Sequence, residues 1–179
     1  MSADRTRGPE TAWRILGIDP GTLRLGYGVI ERLGPAAVRY VECGVISAPA
    51  RHSRAERLVE IGRGLRDLIR ELKPDAVAME DAFLGKNVQS TLALGEARGV
   101  ALLVAGEARL SVRGYPPATV KQAVVGHGRA SKDQIGYLVR ATLSLRRMPS
   151  ADATDALAIA ICAARDARPT FGAPGARRT

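Results

Sequence analysis

A chain of 179 residues is long enough for one domain that buries about 70% of its extended surface, and too short for two large lobes. Its 27 Lys and Arg against 18 Asp and Glu leave a net charge of +9, a balance that suits a polyanionic partner, most often nucleic acid. Cys43 and Cys162 lie far apart with no CxxC spacing and read as buried free thiols, while every apolar run falls well short of the ~20 residues that span a bilayer, so a soluble, cytoplasmic protein with no membrane contact is expected.

Residues 1–13, "MSADRTRGPETAW", lack an apolar segment and read as a disordered extension. Ile15, Leu16 and Ile18 then open a strand that ends in Asp19, directly before a Pro-Gly turn. "LGYGVIE" (25–31) and "AVRYVECGVIS" (37–47) carry strand-type residues separated by a Gly-Pro break, which gives three strands in meander order. Ser53 with Glu56 three residues later forms a capping-box pattern, and Leu58, Ile61, Leu65, Leu68, Ile69 and Leu72 follow at helical spacing before Pro74. "DAVAMED" (75–81) has strand length and again ends in acids, Glu80 and Asp81.

A polar loop, "AFLGKN", leads into a small-residue helix over 88–108, and 110–116 forms a further strand. Two helices follow, one around "ATVKQAVVG" and one from Ser131, whose Gln134 makes a second capping box. After the Met148-Pro149 break comes the apolar helix "SADATDALAIAICAARDA". The single domain therefore spans 14–167, and the basic tail 168–179 reads as disordered. This order predicts an α/β fold, a mixed sheet flanked by helices in which the first and fourth strands lie side by side.

Catalytic groups in open α/β sheets gather beyond the C-terminal ends of parallel strands, where the loops diverge and leave a crevice. Asp19 and Glu80 both occupy such ends, and on neighbouring strands about 4.8 Å apart their carboxylates repel unless a cation sits between them. Taken singly, each acid has a plainer reading: Asp opens turns, and Glu80 can face solvent. "DATD" shifts the balance, because Asp152 and Asp155 share a helix face at the start of a helix apolar enough to pack directly on the sheet. Four converging carboxylates make a hard-cation site suited to Mg²⁺ or Mn²⁺, and two such ions can stabilise the attacking and leaving oxygens of a phosphodiester.

The segments "GIDPGTLRLGYGVIE", "MEDAFLGKNVQSTLALGEARGVAL", "VKQAVVGHGRASKDQI" and "ADATDALAIAI", in this order and spacing from about Ile15 to Ala164, resemble the RuvC Holliday-junction resolvases of the RNase H-like superfamily. The resemblance implies an RNase H-like mixed five-stranded sheet with helices on both faces and the first three strands antiparallel. It implies metal-dependent, symmetric nicking of four-way junctions in DNA recombination and repair, leaving 5′-phosphate and 3′-hydroxyl ends. The family's four metal-binding acids fall on Asp19, Glu80, Asp152 and Asp155, two ions per site. Its junction-distorting aromatic falls on Phe83 and its two lysines near the scissile phosphate on Lys121 and Lys132. It further implies a homodimer and partnership with the RuvA and RuvB branch-migration motor.

Read as residues, Phe83 either stacks on an unpaired base or folds back into the core. Lys121, Lys132, Lys86 and Arg129 are each able to neutralise phosphate charge. Two nicks related by a two-fold axis require two carboxylate clusters, hence a dimer; Gly95 and Gly99 on the helix 89–107 permit close helix approach there, or that face packs on the sheet. An RNA-processing relative with the same "GIDxGxxRxG" opening, an actin-like ATPase and a non-cutting junction binder are the competing readings. "MEDAFLGKN" with "VKQAVVG", the chain length, and the presence of all four acids count against them in turn.

Overall fold

The computed structural model describes residues 12–34, 37–81, 88–126 and 131–166. Most of the expected N-terminal extension and all of the tail lie outside the described residues, and the first strand begins at Trp13. In chain order the elements are β1 (Trp13–Asp19), β2 (Arg24–Arg32), β3 (Val38–Ser47), α1 (Arg54–Leu72), β4 (Ala76–Glu80), α2 (Val88–Glu107), β5 (Ser111–Tyr115), α3 (Pro117–Val125), α4 (Lys132–Thr142) and α5 (Ala151–Arg165). The sheet runs β3-β2-β1-β4-β5. β1, β2 and β3 pair antiparallel as consecutive hairpins, whereas β1–β4 and β4–β5 are parallel.

Local chemistry sets the helix ends. Ser53 Oγ accepts from the Glu56 amide at 3.3 Å while the Ser53 amide donates to Glu56 Oε2 at 2.7 Å. Ser131 and Gln134 repeat this box at 3.2 and 2.9 Å, so both sequence patterns satisfy otherwise orphaned amide donors. α1 stops at Lys73, whose left-handed backbone (φ 45°) returns its amide to the Ile69 carbonyl, because Pro74 disfavours further helix.

Strand alternation sorts the side chains between two layers. On one face Leu16, Ile18, Leu25, Val29, Val77 and Met79 pack against Ile61 and Leu65 of α1 and Ala101 and Val104 of α2. On the other, Ile15, Ile30, Ala76 and Ala78 meet α3, α4 and the central helix α5. α5 is buried from Ala156 to Ala164. It lies against the strands because they lack side chains there: a Cβ on Gly17 would stand 2.1 Å from the Ala156 carbonyl oxygen, and one on Gly26 2.1 Å from that of Asp152.

At the N-terminal end of β1 the carboxylate of Glu31, 4% exposed, accepts from Arg14 Nη2 at 2.7 Å and Arg39 Nε at 2.8 Å. Burial alone raises its pKa, and the two guanidinium groups outweigh burial and hold it below the usual carboxylate value. Cys162 is buried and Cys43 half-buried, and neither is in a disulfide. Among the described residues no helix is long and apolar enough to cross a membrane.

Candidate active site

Period-two alternation decides where the strand acids point. Asp19 shares a face with Ile15 and Gly17, and Glu80 shares one with Ala76 and Ala78, so both lie on the α5 side of the sheet. The parallel register pairs Ile18 with Met79, which brings the next residues, Asp19 and Glu80, to adjacent strand ends. α5 enters the same crevice from above. Its first turn carries Asp152, with Asp155 three residues on, and the missing side chain of Gly26 lets the Asp152 backbone settle onto β2.

The electrostatics register this juxtaposition. Burial first, then the charges of Asp155, Glu80 and Asp152, push Asp19 from the ordinary 3.8 up to about 7. Glu80 is raised by burial and by Asp155, against the lowering pull of Lys121 and Lys132. Asp155 is raised by burial and by Asp152, with Lys132 again opposing. Mutually destabilised carboxylates of this kind mark a site that gains from a cation.

The four groups share one crevice without closing on a common point. Among the described residues, no group of three or more His, Cys, Asp or Glu side chains is arranged to hold a metal ion as it stands. The protein's own cations hold the two helix acids: Arg24 Nε donates to Asp152 Oδ2 at 2.6 Å, and Lys132 Nζ stands 3.9 Å from Asp155 Oδ2. By donor chemistry the set still fits a hard divalent ion, since all four acids offer oxygens and their repulsion is what such an ion relieves.

Lys121 on α3 and Lys132 at the start of α4 both act electrostatically on Glu80, so the two lysines singled out in the sequence border the crevice. Phe83 and Lys86 (in 82–87) and Arg129 (in 127–130) lie outside the described residues. Two residues near the site escape sequence reading. Arg24 belongs to the turn-and-strand pattern, and nothing in it announces a partner 128 positions away. Arg98 reaches across from α2 to the Glu80 carbonyl oxygen and, at 3.2 Å, to Asp81 Oδ1. It anchors the end of β4, and the Asp81 carboxylate occupies the space above Gly114, where a Cβ would stand 1.8 Å from Oδ1. Asp81 is thereby bound to Arg98 beside the strand end that carries Glu80.

The family model of crossover junction endodeoxyribonuclease RuvC matches residues 15–163. The chain belongs to the RuvC family. Its relatives include the crossover junction endodeoxyribonuclease RuvC of Chloroflexus aggregans, 50% identical over 83% of this chain and 91% of the relative, and that of Halorhodospira halophila, 48% identical over 92% and 99%. Among solved structures, T. thermophilus RuvC in complex with Holliday junction substrate superposes with a TM-score of 0.80 at 34% identity, over 86% of this chain and 95% of that one. A yeast mitochondrial Holliday junction resolvase shares the fold at a TM-score of 0.62 and 14% identity. The fold is thus the RNase H-like one, and the protein is a RuvC-family endonuclease of crossover junctions whose family chemistry depends on divalent metal.

Proposed function

We propose that Asp19, Glu80, Asp152 and Asp155 together hold two divalent ions, Mg²⁺ or Mn²⁺, and that two copies of the chain open symmetric nicks in a four-way DNA junction. The observation that carries this reading is the single crevice into which two strand ends and one helix start deliver four acids, with two lysines at its border. When held by these acids, divalent ions would supply a water of lowered pKa and offset negative charge at the phosphodiester; 5′-phosphate and 3′-hydroxyl ends are the expected products.

The chain's own residues prepare that step. Asp19, whose surroundings favour its protonated form, would have to give up that proton to serve as a ligand, so metal binding would release a proton near neutrality. Lys121 and Lys132 bring positive charge to the scissile phosphate, and the N-terminus of α5 adds the positive end of its dipole to the same crevice. Phe83 is assigned to an opened base step, and Lys86 and Arg129 to flanking phosphates.

One chain carries one such crevice, so paired nicking requires a homodimer. The outer face of α2 suits a contact between two copies: Val88, Leu92 and Leu103 are 70%, 58% and 58% exposed. Gly95 and Gly99 lie in the same helix, and a Cβ on either would meet nothing within 4 Å. The plainer alternative, in which these glycines seat α2 on the sheet, has no counterpart in this packing. The RuvA and RuvB motor and a cytoplasmic setting complete the proposal.

The test is cleavage of a labelled four-way junction beside a linear duplex of equal composition, with Mg²⁺, Mn²⁺ or chelator, by wild type and Asp19→Asn. Paired, metal-dependent nicks on the junction alone, lost in the variant, are the expected result. Tight junction binding with no cutting under either metal would replace the enzyme with an architectural protein.

A further inference from the structure

Among the described residues, the closest cation to any of the four acids is Arg24, and its position follows from the strand. Arg24 opens β2 and, two residues before Gly26, lies on the same face of it. Gly26 is where the Asp152 backbone touches the sheet. The first turn of α5 and the Arg24 side chain therefore occupy one stretch of surface, and Arg24 Nε meets Asp152 Oδ2 at 2.6 Å.

The pair is tight in geometry and weak in energy. Its side chains are 56% and 33% exposed, so solvent screens their attraction and either can be drawn away by a stronger partner. Lys132, 87% exposed and 3.9 Å from Asp155, is the looser of the two internal cations. Among the described residues Asp19 and Glu80 have no ion pair of their own; Lys132 acts on both and Lys121 on Glu80 without contact, so direct pairing with a cation is confined to the helix acids.

We propose that Arg24 is a built-in counter-cation that occupies Asp152 until a divalent ion takes that carboxylate, so that metal loading at the helix side of the site is an exchange with the guanidinium. The inference rests on the reading of the four acids as metal ligands. It makes Arg24 a positioning residue whose presence weakens metal binding in the absence of DNA. At the strand acids no described cation is in direct contact, so loading there involves no such exchange.

The experiment titrates Mn²⁺ into DNA-free protein and follows the free ion by its electron paramagnetic resonance signal. The proteins are wild type, Arg24→Gln, Arg24→Lys, Asp152→Asn and Arg147→Gln, the last removing an exposed charge from the loop that leads into α5. Arg24→Gln is expected to tighten binding by about three- to tenfold, with Arg24→Lys between it and wild type and Arg147→Gln within about twofold of wild type. Unchanged or weaker binding in Arg24→Gln overturns the exchange, as does equal tightening in Arg147→Gln, which would make the effect one of overall charge. Asp152→Asn tests the underlying reading separately: if it binds Mn²⁺ as wild type does, Asp152 is no ligand and the exchange falls with it. No Mn²⁺ binding by wild type overturns both. Thermal melting shows that each variant is folded, since surface changes of this kind shift stability within about ±0.5 kcal/mol.

Discussion

Asp19 shows how one residue can oppose folding and serve function. Its folded pKa of about 7 lies above the ordinary 3.8, so the native state binds its proton more tightly than the unfolded chain does. Metal-free stability from this group is therefore full below about pH 4 and is lost as pH rises toward 7. Asp19→Asn removes the buried charge and should raise the melting temperature of metal-free protein at pH 8, by a stabilisation of ~2–4 kcal/mol, while abolishing cleavage and sparing junction binding. A variant that still cuts removes Asp19 from the site; one that melts lower at pH 8 contradicts the electrostatic account. The acid was legible because it interrupts an apolar strand at a Pro-Gly turn. A glycine within a strand, as Gly26 is, permits close backbone approach, and that the approaching backbone is that of Asp152 is known from the packing of α5. Gly26→Ala should displace the first turn of that helix, costing about 1–3 kcal/mol by overpacking and most of the cleavage rate. Chemical denaturation and junction cleavage measure the two effects, and wild-type activity would show that Asp152 tolerates the shift.

Elements differ in how much their own residues foretell. α1 and α4 announce their starts with capping boxes and their faces with apolar spacing, and both form as the pattern requires. α5 announces only that it is apolar. It is a good core helix wherever it packs, and its place on the sheet comes from glycines in β1 and β2 that lie more than a hundred residues earlier. α2 has the opposite ambiguity, since small residues suit either close packing on the sheet or contact with a second copy. Its exposed Leu92 and Leu103 favour the second. Leu103→Glu should leave monomer stability within about 0.5 kcal/mol of wild type, shift sedimentation toward the monomer and turn paired nicks into single ones. A dimer that survives this charge at wild-type concentration would place the interface elsewhere.

For the whole molecule, charge and topology act together. The chain carries an excess of nine positive charges while the candidate site itself is acidic, so attraction of DNA is expected from the chain's net charge and charge neutralisation at the site from metal. Junction affinity should fall at least about 100-fold between roughly 50 and 200 mM salt, and a flat response in a binding titration would count against phosphate contacts. Metal affinity of the DNA-free protein should rise with pH toward about 7, with proton release on metal addition in weakly buffered solution. An affinity independent of pH across that range would show that Asp19 is already ionised before metal binds.

By itself the sequence determined the order and kind of the elements, the acids at the strand ends and the sign of the surface, because capping, period and turn chemistry act over a few neighbours. It also carried the family motifs from about Ile15 to Ala164. The expected neighbourhood of Asp19 and Glu80 is realised by the parallel β1–β4 register, and the tertiary structure alone decided the contacts that no pattern named: Arg24 on Asp152 and Arg98 on the end of β4. Those pairings join residues far apart in the chain, and no local rule reaches that far. They are set by which strand faces lack side chains, where α5 can settle and where charge is left to be balanced.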